Sequence, residues 1–174
     1  KRQPGSALKP LAVYGPALET GHYEPYSLLQ DKPHNYNGYE PTNYDGIYRG
    51  DISLYDALVH STNAPAVWLL NKLGVDTIKK PLKELGLEFK DSGLKIALGG
   101  IDEGLSPFAM MKAYRAFLQA GKVVEPYVIA KIYDQNGKLI GEAKRNEKTV
   151  FSPQTAWFMT RMLEDVVREG TAKA

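Results

Sequence analysis

The sequence predicts an α+β fold, mostly helical with one β-hairpin, and three observations carry that prediction. Apolar residues return at helical spacing in six segments, a single stretch reads as two strands around a polar turn, and Gly, Pro and capping residues punctuate the chain between them. With 174 residues, 43% of them hydrophobic, the chain is long enough for one domain with its own core and too short for two.

The first helix is expected from Ser6 to Thr20, stopping at Gly21, on the stripe Leu8, Leu11, Ala12, Val13 and Leu18. Pro4-Gly5 makes the turn before it, Pro10 removes one backbone bond from its second turn, and Pro16 is placed to kink it. Residues 22–50 then change character, with six of the eleven tyrosines set among Pro, Asn and Gly and no helical period. This reads as a long ordered loop that wraps the helical core, because tyrosines at that density bring large apolar faces. Asp51 or Ser53 can cap a second helix through Leu54, Ala57 and Leu58 to His60. Ser61-Thr62-Asn63 interrupts it, and Pro65 opens a third helix through Val67, Leu69, Leu70 and Leu73 to Gly74.

A fourth helix is expected from Asp76 to Leu85, with Gly86 as its stop. Ile96-Ala97-Leu98 before Gly99-Gly100 reads as a short extended segment, and a fifth helix runs from Ser106 to Ala120 with Met111, Tyr114, Phe117 and Leu118 at helical spacing. Residues 122–144 hold the hairpin, as Val128 to Tyr133 and Leu139-Ile140 around Asp134-Gln135-Asn136-Gly137. The last helix, within residues 152–170, follows Ser152-Pro153 and buries Trp157 or Phe158, Met159, Met162, Leu163, Val166 and Val167.

Composition removes several classes of function. Twenty-two basic and 20 acidic residues are well mixed, so the net charge of +2 comes without a basic stripe for nucleic acid. No apolar run reaches the ~18 residues of a membrane span and the first five residues hold no signal-peptide core, which places any anchor outside this chain. There is no cysteine for a disulfide or thiolate site, and His22, His34 and His60 lack the spacing of metal ligands, so no metal or cofactor is expected.

Chemistry enters at Ser6 and Lys9. Serine is a poor nucleophile at neutral pH and needs a base within about 2.6–3.2 Å, and positions three apart share one helix face. Spacing alone is weak evidence, since 7 serines and 16 lysines in 174 positions yield about 0.6 such pairs by chance. Ser92 and Lys95 form a second pair. Context separates the two: Ser6 follows a Pro-Gly turn and opens an apolar helix, whereas Ser92 sits beside Gly93 with no such helix behind it. For Lys9 to accept a proton its pKa must fall, which burial or a nearby cation achieves. Ser61-Thr62-Asn63, on an elbow between two helices, adds a hydroxyl that can relay a proton and an amide that can hold a substrate peptide group. Taken by itself the tripeptide is a helix boundary with Asn63 or Ser61 as cap.

Together these residues complete two parts of a three-part set, Ser-x-x-Lys, Ser-x-Asn and Lys-Thr-Gly, found in penicillin-binding proteins and class A β-lactamases. Arg2-Gln3-Pro4-Gly5-Ser6-Ala7-Leu8-Lys9-Pro10 resembles the nucleophile motif of bifunctional, class A penicillin-binding proteins. Pro41-Thr42-Asn43-Tyr44-Asp45 with Tyr48-Arg49-Gly50 resembles their linker, and Ser61-Thr62-Asn63-Ala64-Pro65-Ala66-Val67 their second motif. The likeness extends to Ala97-Leu98-Gly99-Gly100 and the Ser106-Pro107 helix start. It implies a peptidoglycan D,D-transpeptidase: Ser6 as nucleophile toward the penultimate D-Ala carbonyl of a stem peptide, Lys9 as its base, Ser61 as proton relay to the departing amine and Asn63 as substrate-amide holder. A second stem's amine would then take the acyl group, and a β-lactam would acylate the same Ser6. The resemblance further implies an upstream glycosyltransferase domain, a membrane anchor and a place on the extracytoplasmic side of a bacterial membrane.

The third motif is missing. The one Lys-Thr, Lys148-Thr149, is followed by Val150 and precedes the last helix. The chain is therefore expected to be the mostly helical part of the transpeptidase fold, residues 1–174 of a partial domain without most of its central antiparallel sheet, and inactive alone. Two other readings share the fold. A serine β-lactamase of class A would carry a deacylating Glu where Val67 stands before Leu70-Asn71, and a β-lactam sensor or scaffold would keep the site without turnover.

Overall fold

The computed structural model describes residues 1–144 and 146–173. Its central element is the segment after the Pro4-Gly5 turn, in which Leu8, Leu11, Ala12, Val13, Tyr14 and Ala17 are all fully buried. A segment buried all round is the axis of a helical layer rather than a surface helix. The single α-helix expected from Ser6 to Thr20 is instead three geometries in series: a 3-10 turn Gly5–Leu8, a π turn Pro10–Tyr14, and α1, Gly15–Glu19. Two prolines are the cause, since neither Pro10 nor Pro16 can donate an i→i−4 bond. The Lys9 N–H closes the first turn on Ser6 O, and the Gly15 N–H reaches back five residues to Pro10 O. Gly15 is suited to that wide turn because a Cβ there would stand 2.8 Å from Pro10 O and 3.1 Å from the Phe151 ring.

The tyrosine-rich stretch is not strandless. β1 (Leu28–Asp31) pairs antiparallel with β2 (Gly50–Ser53), Leu28 opposite Ser53 and Asp31 opposite Gly50. Each strand is only four residues long, and a pair separated by eighteen residues leaves no local hairpin signal to read. Between them Tyr36 and Tyr39 bridge across Asn37-Gly38, whose φ values of 54° and 92° fit the hairpin turn that Asn-Gly favours. Tyr23, Tyr36, Tyr39 and Tyr55 lie against the core, whereas Tyr26 and Tyr44 project into solvent.

α2 (Leu54–Val59) takes Ser53 as its cap, which accepts the Asp56 N–H at 2.9 Å. α3 (Asn63–Leu73) begins two residues earlier than its proline suggests, and α4 (Val75–Glu84) follows around Gly74. Ile96-Ala97-Leu98 is not extended but belongs to a 3-10 helix, Leu94–Leu98, closed by Gly99 at φ 75°. Three apolar residues fit a strand and a buried turn equally well, and the left-handed glycine decides for the turn. α5 (Pro107–Leu118) is capped by Ser106, as expected.

The stretch expected to hold the one hairpin contributes to two strand pairs. β3 (Lys122–Val124) pairs with β6 (Glu147–Thr149), and between them β4 (Lys131–Tyr133) and β5 (Leu139–Glu142) form the hairpin itself. Its turn is tied by Asp134, whose carboxylate accepts the Asn136 and Lys138 N–H groups at 2.9 Å each. The strand expected from Val128 begins only at Lys131, and Val128 is wholly exposed. In α6 (Pro153–Arg168), Met159 and Met162 are buried and Phe158 packs on the core. Of the alternatives Trp157 and Phe158, Phe158 is therefore the inward one, with Trp157 59% exposed, whereas Val167, expected inside, is 60% exposed. Trp157 lies about 200° around the helix from Met159, which turns it away from the buried stripe.

Candidate active site

Backbone clamps set the position of Ser6. Arg2 exchanges both backbone bonds with Leu105, at 3.0 and 2.8 Å, and Gly5 turns the chain at φ 58°. Gly99 lies so close that a Cβ on it would stand 2.2 Å from Gly5 O, and one on Gly104 would meet the Arg2 backbone at 2.6 Å. The Tyr114 hydroxyl donates to Ala7 O at 2.7 Å, fixing the other side of the turn. Ser6 emerges exposed, and its hydroxyl has no hydrogen-bond partner among the described residues.

Lys9, one turn on, is only 1% exposed. Its Nζ donates to Ser61 O at 2.6 Å and Asn63 Oδ1 at 2.8 Å, and lies 3.2 Å from both Ser61 Oγ and Thr62 O. The structure thus gathers Lys9, Ser61 and Asn63 directly, from segments some fifty residues apart, and leaves Ser6 beside them without a bond to Lys9. Burial lowers the Lys9 pKa from its ordinary 10.5 to about 7. The decoy pair goes the other way: Lys95 sits between Asp102 at 2.6 Å and Asp91 at 3.0 Å, and these carboxylates raise its pKa. Lys148-Thr149 lies on β6, with Lys148 paired to Glu84 at 3.0 Å.

The elbow is a helix C-terminus closed in an uncommon way. Ser61 N–H bonds Leu58 O and Thr62 N–H bonds Ala57 O, both at 3.0 Å, with Ser61 at φ 53° in the position that glycine usually fills. A serine held there carries backbone strain of about 1 kcal/mol or more, and its hydroxyl is aimed by a rigid turn. Neither Ser61 nor the Asn63 side chain caps the next helix. Asn43 does so from the tyrosine-rich loop: its Oδ1 accepts the N–H groups of Asn63 at 3.1 Å and Ala64 at 2.9 Å. The Asn43 amide nitrogen in turn donates to the fully buried carboxylate of Asp31 at 2.6 Å and to Ile47 O at 2.7 Å. The Asn63 Nδ2 donates to Thr42 O at 2.9 Å, which leaves one of its two hydrogens facing outward. Asn43, Asp31, Gly99 and Tyr114 are the supporting residues that motif reading alone missed. Asn43 and Gly99 lay inside the quoted likenesses, whereas nothing local marked Asp31 or Tyr114.

On the outer side of the elbow a cleft of about 570 Å³ opens between Ser61, Thr62, His60, Asp56 and the Tyr44–Arg49 stretch. Among the described residues no group of His, Asp and Glu is arranged to hold a metal ion, and no helix is long and apolar enough to cross a membrane.

Compared with known proteins, residues 1–174 match the penicillin binding protein transpeptidase domain family throughout. The chain belongs to that family. It is 49% identical over 171 residues to penicillin-binding protein 1F of Bacillus subtilis, covering 98% of this chain and 24% of that protein. It is 35% identical to penicillin-binding protein 1A of Neisseria lactamica, over 99% of this chain and 23% of the relative. The fold superposes on penicillin-binding protein 1A from Haemophilus influenzae with a TM-score of 0.83 at 24% identity, covering 98% of this chain and 30% of that one. Penicillin-binding protein A from M. tuberculosis, solved as an imipenem acyl-enzyme complex, matches with the same TM-score of 0.83 at 21% identity over 95% of this chain and 44% of that one. The chain thus spans about a quarter of the curated relatives, and it is an α+β, mostly helical part of the transpeptidase fold. These matches favour a penicillin-binding transpeptidase over a serine β-lactamase.

Proposed function

We propose that Ser6 is the nucleophile of a peptidoglycan D,D-transpeptidase whose base is Lys9. The observation that carries this reading is the buried Lys9 amine, one helical turn after an unbonded, exposed Ser6 and in direct contact with Ser61 and Asn63. With a pKa near 7, Lys9 is half neutral at physiological pH and accepts the Ser6 proton as Oγ attacks the penultimate D-Ala carbonyl of a stem peptide. Ser61 Oγ, 3.2 Å from Lys9, passes that proton to the departing D-Ala amine, and the second hydrogen on Asn63 Nδ2 holds the substrate amide. The Ser6 backbone N–H supplies one donor to the oxyanion. A second stem's amine then takes the acyl group and restores Ser6. A β-lactam acylates the same oxygen, in keeping with the acyl-enzyme described for the mycobacterial neighbour.

On this reading residues 1–174 are part of one transpeptidase domain in a larger protein. That protein carries a glycosyltransferase domain and a membrane anchor and works on the extracytoplasmic side of the bacterial membrane, as the class A relatives suggest. These 174 residues contain no Lys-Thr-Gly. Lacking the oxyanion donor such a strand supplies, worth about 10²- to 10³-fold in rate, they are expected neither to cross-link nor to bind penicillin well alone.

The test is fluorescent penicillin labelling of the complete protein. Stoichiometric label mapped to Ser6, abolished in Ser6→Ala and persisting for many minutes, is the expected result. Label on another serine would overturn the assignment, and release within seconds would make the protein a hydrolase.

A further inference from the structure

A second cleft, of about 490 Å³, opens at the far end of α3 from the elbow, with Tyr36, Asn37, Asn71, Val75, Ser92 and Leu94 in its lining. No lining side chain carries a charge. The charged residues beside it are engaged elsewhere: Lys72 lies 5.5 Å over the Trp68 ring, Asp76 pairs with Lys79 at 2.7 Å, and Asp91 with Lys95 at 3.0 Å. Among the described residues the side chains of Asn37, Asn71 and Ser92 make no hydrogen bond, and the Tyr36 hydroxyl is buried without a partner. A cleft rich in unpaired carboxamides and hydroxyls offers donors and acceptors side by side. An ion entering it would shed water without meeting a counter-charge, whereas a neutral polyhydroxylated ligand would exchange like for like. Val75 and Leu94, half buried at the rim, give methyl groups an apolar seat, and the volume lies in the range of small-ligand sites.

We propose that this cleft binds N-acetylated oligosaccharide, the glycan strand from which a stem peptide hangs, a proposal that rests on the peptidoglycan reading above. Its distance from the elbow fits. Asn71 follows Asn63 by eight residues of one helix, about 12 Å along the axis. Four extended residues of a stem span about 13 Å. A four-residue stem thus has the length of α3 between the elbow and Asn71. One loop serves both ends, since Asn37 stands at the cleft and Asn43 caps α3 at the elbow.

The experiment uses the complete protein with two probes, tetra-N-acetylchitotetraose carrying a photoreactive diazirine and stem-free glycan strands. Photo-crosslinks are expected in residues 35–37, 71–75 or 92–94. Asn71→Ala, Ser92→Ala and Asn37→Gly, the last keeping the turn's positive φ, are each expected to weaken chitotetraose binding at least fivefold while penicillin labelling of Ser6 proceeds at the parent rate. That unchanged rate shows the variants are folded. Crosslinks confined to other segments, variants that bind as the parent does, or equal affinity for maltotetraose would each overturn the proposal. Should chitotetraose bind as expected while Ser6 resists acylation, the cleft stands and the catalytic reading falls.

Discussion

The side-chain oxygen of Asn43 caps the helix that begins at Asn63, accepting the Asn63 and Ala64 N–H groups at 3.1 and 2.9 Å while its amide nitrogen holds the buried Asp31 carboxylate at 2.6 Å. The tyrosine-rich loop, the strand pair and the elbow therefore meet at one side chain. Asn43→Ala removes a cap and leaves Asp31 short of a donor, for an expected loss of about 1–3 kcal/mol in denaturant titrations of the complete protein. Asn43→Asp sets two carboxylates against each other. It keeps a capping oxygen but loses the amide donor to Asp31, so it too is expected to be less stable than the parent at pH 7. Equal stability of Asn43→Ala and parent would remove the tie from the account.

Burial sets the pH dependence at Lys9. The proposed base is charged below about pH 7, so the rate of penicillin acylation is expected to fall about tenfold per unit below that value and to level above it. Stability runs with the same group. Between about pH 7 and 10.5 the unfolded chain keeps the Lys9 proton and the folded chain releases it, so stability rises with pH across that window, by at most about 1.4 kcal/mol per unit. Lys9→Met is expected to lose both the rate plateau and this slope. A rate profile with its inflection near pH 10 would place Lys9 in its charged form and exclude it as base.

Gly99 and Gly137 provide a matched pair. Both hold positive φ, at 75° and 76°, yet an added methyl meets Gly5 O at 2.2 Å in the first and nothing within 4 Å in the second. Gly99→Ala is expected to displace the Ser6 turn and cut acylation by more than tenfold. Gly137→Ala is expected to cost about 1 kcal/mol of stability and to leave acylation unchanged. Acylation kinetics of the two variants side by side make the comparison.

Ser61 separates backbone strain from hydroxyl chemistry. At φ 53° glycine is the easier residue, so Ser61→Gly is expected to be about 1 kcal/mol more stable than Ser61→Ala in thermal or denaturant unfolding. Both lose the relay and are expected to slow acylation by a stem-peptide substrate, whose departing amine then lacks its proton donor, by about 10²- to 10⁴-fold. Turnover in Ser61→Gly close to that of the parent would remove the hydroxyl from the mechanism.

Most helices could be read before any coordinates because their caps are local: Ser53, Ser106 and Ser152 each bind an N–H three residues on. The elbow's place between two helices was legible for the same reason. What escaped was non-local. Asn43 caps a helix twenty residues away, β1 finds its partner across a long loop, and β3 meets β6 around an intervening hairpin, so no window of sequence contains both halves of these features. Ile96-Ala97-Leu98 failed for another reason, being too short for periodicity to tell strand from turn. Val167 failed because it lies in the last turn of α6, past the buried Met159 and Met162. At the site, Ser6, Lys9, Ser61 and Asn63 were all named from motif and context, while the glycine clamp on Ser6 required the folded backbone to be seen.

The Lys9 ammonium has three hydrogens for the four oxygens around it, at 2.6, 2.8, 3.2 and 3.2 Å. When it gives one up, two hydrogens remain for those four oxygens, and on the proposed mechanism the lone pair left behind is the acceptor for the Ser6 proton. Deprotonation also removes one of the threads that tie Lys9 to the elbow, so on the proposed mechanism the amine holds the Ser61-Thr62 wall by fewer bonds before attack than after it.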